Sequence, residues 1–324
     1  MTKDEIALRH YIDNSGDQNS PVFEVAYINA VNQSGQGNGI HSAIIRFKAP
    51  EKEITTSDKV GELPFTFETR RSSCIIRTHT GQLTLICKGA FEEVYSLCTS
   101  LRLDDHVVSF DAQIRREICQ RAAIFNSEGY RVILVATRIV GDRELANSAE
   151  LEGLDSSMVL EGLLTFLDPP KYDAKDSIAQ LQTPGIDIKI LTGDNLGVAM
   201  KVCWSLDIVK EIDEENIPAI TGQDLARFNG QAFEGVVKNC KVFAKLTPNQ
   251  KGQVILCLKK QVEVLGMLGD GINDCLALRD ADARISIDTR ANAAKDCADV
   301  ILTKKELSII VDCVRLGRVT QGNT

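Results

Sequence analysis

From Asp168-Pro-Pro170 onward the chain repeats one rhythm: a short apolar run, a polar loop, then apolar residues at helical spacing. Apolar runs occur at 186–191, 242–245, 264–268, 284–287 and 300–302, and helical stretches at 173–181, 196–206 and 250–260. Strands that alternate with helices pair in parallel, with the helices covering the sheet. Such a sheet carries its ligand loops at the carboxyl ends of its strands. Three loops fall there: Leu191-Thr-Gly-Asp-Asn195, Lys245-Leu-Thr-Pro-Asn-Gln-Lys251 and Leu268-Gly-Asp-Gly-Ile-Asn-Asp274.

The residue types in these loops suit Mg2+-dependent phosphoryl transfer, a reaction governed by positioning and charge neutralisation. Asp270 follows an apolar run and lies between Gly269 and Gly271, which let the backbone bend sharply and come close to a ligand. A carboxylate so placed can hold Mg2+, a cation that takes few protein oxygens and keeps its waters. Asn273 and Asp274 are placed to orient the metal shell or a phosphate. Lys251 sits at a helix start after Pro248, where it adds charge to an N-terminus already favourable to phosphate. Thr192 and Gly193 offer a hydroxyl and a close backbone N–H, and Asp194 is placed to orient them. Taken singly, Gly-Asp-Gly is a common turn and a lone lysine a solvated surface residue; the ordered set is what points to a site.

With 324 residues the chain exceeds the size at which one core keeps growing, so two domains are expected, at 1–166 and 167–324. The first half reads differently from the second. Runs at 73–78 and 83–88 flank His79-Thr-Gly-Gln82 as a hairpin; 112–128 reads as a helix, and 131–139 and 158–167 as buried strands. This half is expected to be an antiparallel α+β domain. Residues 13–20 and 32–39 read as loops. The cluster Gly35-Gln-Gly-Asn-Gly39 follows no clear strand and has no properly spaced third glycine opening a helix, so it is read as loop rather than dinucleotide fingerprint.

A net charge of −8 disfavours nucleic acid or an anionic membrane surface as a partner. Ten cysteines and four histidines are scattered without zinc-ligand spacing, which fits buried thiols in a reducing compartment. No apolar leader opens the chain, and no apolar run approaches the ~20 residues that span a bilayer. The polypeptide by itself is expected to be soluble.

The order of these motifs resembles the cytoplasmic catalytic region of P-type cation-transporting ATPases, most nearly the bacterial Mg2+-transporting type. The resemblance is carried by Leu63-Pro-Phe-Thr-Phe67, Lys88-Gly-Ala90 with Glu92, Leu167-Asp-Pro-Pro-Lys171, Ile190-Leu-Thr-Gly-Asp194, Leu246-Thr-Pro248 with Lys251, and Gly269 to Leu278. It implies an α/β fold in which a haloacid-dehalogenase-like parallel sheet is joined to an α+β antiparallel nucleotide-binding domain. It implies that ATP binds with Phe67 stacked on adenine, Lys88 and Gly89 lining the pocket, Arg131 reaching the phosphates and Asp168 at the hinge. It implies Mg2+ at Asp270, with Thr192, Gly193, Asp194, Lys251, Asn273 and Asp274 in catalysis. In the intact pump it implies ATP hydrolysis coupled to ion transport at the cytoplasmic face of the membrane, with transmembrane and actuator parts as partners.

The sequence departs from that family in several places. The family's phosphorylated aspartate lies in an Asp-Lys-Thr-Gly-Thr segment, and these 324 residues contain none. Residues 1–6 resemble the stretch immediately after that segment in the family. Its strand lies mid-sheet there, so the sheet is expected to lack its first strand and to show two open edges, which invite a strand-donating partner. Cys275-Leu276 stands where Ala-Pro is usual, Thr69 where arginine is common, and Ile45 in the place of a helix carboxylate. Arg284 replaces a glycine and is expected to disturb the start of its strand. The chain is thus expected to bind ATP and Mg2+ without phosphorylating itself. A stand-alone nucleotide-binding or regulatory module is the alternative. A haloacid-dehalogenase-type phosphatase is a third reading; it needs a strand-end Asp-x-Asp, which is not found.

Overall fold

The computed structural model describes residues 6–34, 39–48, 58–66, 68–147, 153–169, 171, 173–209, 218–262, 264–288 and 292–322. The chain divides into two compact units, Lys3–Pro169 and Pro170–Thr324 with Met1–Thr2.

The first unit runs β1 (Ala7–Asp13), α1 (Ser20–Val31), α2 (Gly39–Phe47), β2 (Asp58–Leu63), β3 (Arg71–Arg77), β4 (Leu83–Ala90), α3 (Phe91–Leu97), β5 (Cys98–Leu103), β6 (His106–Ser109), α4 (Ala112–Ser127), β7 (Arg131–Val140), α5 (Asp142–Asn147) and β8 (Met158–Leu167). Its eight strands form one sheet in the order β2-β3-β4-β7-β8. The far edge of β8 is shared, with β5 alongside residues 158–160 and β1 alongside residues 162–167. Only the β5–β8 pairing is parallel. One face of the sheet packs Leu85, Leu134 and Leu160 against Ile118 and Ala122 of α4. The other packs Ile133, Leu164 and Phe166 against Phe23 and Ala26 of α1 and Ile44 of α2. Burial on both faces is why β7 and β8 are almost continuously apolar rather than alternating.

Where β5 gives way to β1 along β8, the ladder is interrupted and polar groups fill the junction. Asn14 Nδ2 donates to the carbonyls of Arg102 (2.8 Å) and Leu160 (2.9 Å). The buried Glu161 accepts from Arg102 Nε at 2.7 Å and Nη2 at 3.1 Å, and from the Thr137 hydroxyl. This is how a carboxylate is tolerated inside the most apolar run of the chain. At the next residue a Cβ on Gly162 would lie 2.3 Å from the Ile12 carbonyl oxygen, so only glycine lets β1 approach β8.

The second unit runs α6 (Ala174–Gln182), β9 (Ile190–Leu191), α7 (Leu196–Ser205), β10 (Ala219–Thr221), α8 (Gly222–Leu225), α9 (Gly230–Asn239), β11 (Val242–Ala244), α10 (Pro248–Lys259), β12 (Gly266–Gly269), a 3-10 turn (Ile272–Asp274), α11 (Cys275–Asp280), β13 (Ala283–Ile287), α12 (Asn292–Asp296), β14 (Val300–Leu302) and α13 (Ser308–Gly322). Its strands form not one sheet but two parallel three-stranded sheets, β10-β11-β9 and β12-β13-β14. Among the described residues β9 has β11 as its sole strand neighbour and β12 has β13. Leu191 of β9 and Leu265, just before β12, both pack against the cores built around α10.

Two expectations need correction. The strand expected at 186–191 shrinks to Ile190–Leu191, because its pairing with β11 begins at Ile190 opposite Val242. Arg284 does not disturb its strand. It sits in β13 opposite Met267, and its guanidinium spans both Asp299 oxygens at 2.8 and 2.7 Å.

Candidate functional site

In the second unit the three loops are tied together in sequence. Thr192 N–H donates to Phe243 O (2.9 Å), carrying the ladder one residue past β9. Asp194 N–H donates to the Thr192 hydroxyl oxygen (3.0 Å), and that hydroxyl donates to Asp194 Oδ2 (3.2 Å). The second loop then closes on the first: Lys245 N–H reaches Asp194 O (2.8 Å) and Leu246 N–H reaches Thr192 O (3.0 Å). Lys245 is held in the left-handed region at φ 51°. That conformation costs roughly 1–2 kcal/mol in a non-glycine residue and is maintained only by surrounding contacts.

Those contacts fix the start of α10. Thr247 and Gln250 form a reciprocal capping box, with Pro248 at the first helical position. Gln250 Nε2 also donates to Gly222 O at 2.7 Å, which ties the cap to α8. With the helix so anchored, Lys251 in its first turn donates to Asp274 Oδ1 at 2.7 Å, both side chains being nearly buried. The second oxygen of Asp274 accepts from Gly271 N–H at 3.3 Å. A Cβ on Gly269 would lie 2.6 Å from the Asp274 Cβ, so this glycine makes room for the carboxylate.

Asp270, one residue past β12, is half-buried, and Lys305 Nζ lies 2.8 Å from its Oδ2. Lys171 donates in turn to the Lys305 carbonyl. Asn273 is half-buried in the 3-10 turn and Gly193 is exposed. Thr192, Asp194, Lys251 and Asp274 therefore belong to one bonded chain of loops, and Asp270 is joined to Lys305. Among the described residues no three His, Cys, Asp or Glu side chains gather as a metal cage. A half-buried strand-end carboxylate fits Mg2+ nonetheless, since that ion binds through one or two carboxylates and fills its remaining positions with water and phosphate oxygens.

In the first unit Lys88 lies on β4 opposite Ser72 of β3 and Val135 of β7, and is 2% exposed. Its amine donates to Asn29 Oδ1 on α1, and Asn29 Nδ2 donates to Ile86 O at 2.7 Å. Burial pulls the Lys88 ammonium down to about 7, against the weak opposing influence of Cys74 and Cys87. Burial, together with the charge of Lys88, brings His41 of α2 to about 3. Arg131 opens β7 on the face shared by Ile133 and Val135, hence on the same face as Lys88. Gly89 has no space for a side chain, because its Cβ would meet the Arg71 Cβ at 2.5 Å. Asp168 follows β8 and is half-buried, while Phe67 lies outside the described residues. Asn29, His41 and Lys305 were not visible as site residues in the sequence. None sits in a motif, and each meets its partner from a distant point in the chain.

The second unit holds two parallel sheets whose strands run into polar loops, and the first holds a mostly antiparallel sheet with a buried lysine. The chain belongs to the P-type ATPases: the family described as "P-type ATPase, cytoplasmic domain N" matches residues 6–173. Among its relatives, "Magnesium-transporting ATPase, P-type 1" of Salmonella typhimurium strain LT2 is 39% identical over 329 residues, covering 100% of this chain and 35% of that protein. The protein of the same name in Escherichia coli K12 is 34% identical, with the same coverage of 100% and 35%. "Calcium-transporting ATPase 1" of Lactococcus lactis is 29% identical over 82% of this chain and 30% of that protein. The chain thus spans about a third of the length of these relatives. No helix among the described residues is long and apolar enough to cross a membrane.

Proposed function

We propose that this chain is the ATP-binding catalytic region of a P-type magnesium-transporting ATPase, acting at the cytoplasmic face of the membrane with transmembrane and actuator parts. The observation that carries the reading is the bonded set of loops that ends in the 2.7 Å Lys251–Asp274 pair. Lys251 supplies positive charge, Thr192 and Gly193 supply donors to phosphate oxygens, and Asp194, Asn273 and Asp274 hold that arrangement. Asp270 would hold Mg2+, which when bound neutralises phosphate charge. In the first unit, Lys88, Gly89 and Arg131 take the nucleotide, with Phe67 against the base.

The two three-stranded sheets support a haloacid-dehalogenase-like arrangement in which one further parallel strand stands between β9 and β12. That strand would come from elsewhere in the pump or from a strand-donating partner, and would bring the aspartate that is phosphorylated. On this reading the chain binds ATP and does not phosphorylate itself. Displacement of a fluorescent ATP analogue by ATP tests the first half, with Lys88→Ala and Arg131→Ala each expected to weaken binding at least tenfold. Incubation with labelled ATP and acid quench tests the second; a hydroxylamine-sensitive phosphoenzyme would contradict the proposal.

A further inference from the structure

Two ion pairs meet at the loop after β12. Asp274 faces Lys251 at 2.7 Å, and Asp270 faces Lys305 at 2.8 Å. The first pair is nearly buried and ties α10 to the loop. The second is open, with side chains 22% exposed on Lys305 and 44% on Asp270. A pair so exposed adds little to stability. The chain nevertheless fixes the backbone that carries Lys305. The Lys171 amine donates to the Lys305 carbonyl. Two residues on, Leu307 packs on the core of α6 and α7, and its carbonyl accepts from Ile310 N–H at 3.0 Å and Val311 N–H at 3.3 Å as α13 begins. Three residues before, β14 ends in the buried Leu302. Lys305 is thus delivered to Asp270 from an anchored segment, across 35 residues of chain.

We propose, on the reading of Asp270 as the metal carboxylate, that Lys305 is a built-in competitor for it. The amine must leave Asp270 Oδ2 before that oxygen can take Mg2+, so Lys305 sets the metal affinity of the loop. Mg2+ binds through only one or two protein carboxylates, so an ammonium hydrogen-bonded to this one competes directly. The competition also couples metal to anion. The two pairs together carry no net charge, and a divalent cation added beside them meets two ammonium groups. A phosphate arriving with the metal restores the balance. Each should therefore raise the affinity for the other by the same factor. Without Lys305 the Asp270 charge is available to the metal alone, and that coupling shrinks.

The whole 15N-labelled chain is titrated with Mg2+ at fixed pH and ionic strength, without phosphate, while the Gly269 and Gly271 amides are followed. Removing one positive charge beside the carboxylate in Lys305→Met is expected to tighten Mg2+ about fivefold or more. Lys305→Arg keeps the charge and should stay close to the unaltered chain. In a second titration with inorganic phosphate present, the factor by which phosphate tightens Mg2+ should fall in Lys305→Met. The pair is open enough that neither change should move the Trp204 unfolding midpoint, so the variants remain folded for the comparison. Unchanged or weaker Mg2+ binding in Lys305→Met, while Asp270→Asn abolishes the Mg2+-induced shifts, overturns the proposal and leaves the metal reading standing. Shifts that survive Asp270→Asn remove the metal reading, and the proposal with it.

Discussion

The two units of this chain handle backbone hydrogen bonding in opposite ways. The first gathers eight strands into one sheet and fills its single interruption, where β5 meets β1 along β8, with Asn14, Arg102 and Glu161. The second holds two three-stranded sheets whose strands β9 and β12 each have one neighbour among the described residues. A sheet covered on both faces and plugged at its junction is a rigid frame. Short strands with open backbone are a place where another strand can enter. The loops proposed for phosphate and metal leave those short strands, while the lysine proposed for the nucleotide is buried in the frame.

The largest effect that separates the units is expected from Lys251→Ala. It leaves the Asp274 carboxylate nearly buried without its cation. Breaking such a pair costs about 3–5 kcal/mol. Trp204, the sole tryptophan, lies on α7 in the second unit, so its fluorescence during urea unfolding follows that unit. Hydrogen exchange in β7 and β8 should stay unchanged, and a loss of protection there would break the distinction between the units.

A smaller effect, confined to the first unit, is expected from Lys88. Its folded value near 7 lies below the ordinary 10.5, so the unfolded chain binds the extra proton between these limits. Stability should therefore rise with pH from 7 upward, by at most about 1.4 kcal/mol per pH unit. The useful window closes near pH 9, where unfolded thiols ionise while the buried Cys74 stays protonated to about 12, and the trend reverses. Lys88→Met should flatten the rise between pH 7 and 9. Hydrogen exchange in β4 and β7 across that window checks it. The smallest effect is expected from Arg284→Ala, since its ion pair with Asp299 is largely exposed. The Trp204 unfolding midpoint should stay within experimental scatter.

Much of the frame was legible because local pattern and tertiary demand agree. The β3–β4 hairpin, α4 and the long apolar strand β8 all stand where their patterning puts them. Helix α1 was missed because it packs on both the sheet and α2. Val22, Phe23, Ala26, Asn29 and Ala30 are all buried, so no polar stripe marks a helical face. Helix α9 was missed because it opens on Gly230 and contains Gly235, both poor helix formers. The three loops were readable as motifs, since each needs particular residues at fixed spacing. Their mutual bonds were not, because Lys251 meets Asp274 across 23 residues and Lys305 meets Asp270 across 35. The Asn29–Lys88 contact, across 59 residues, leaves no local trace either.

The division of labour between the units is tested most directly by titrating the 15N-labelled chain with ADP, then with Mg2+ and inorganic phosphate, while recording amide shifts. The account predicts that ADP alone moves the signals of Asn29, His41, Lys88 and Arg131. Mg2+ with phosphate should then move those of Thr192 to Asp194, Lys251 and Asp270 to Asp274. ADP shifts confined to the second unit, with Lys88 and its neighbours silent, would contradict it.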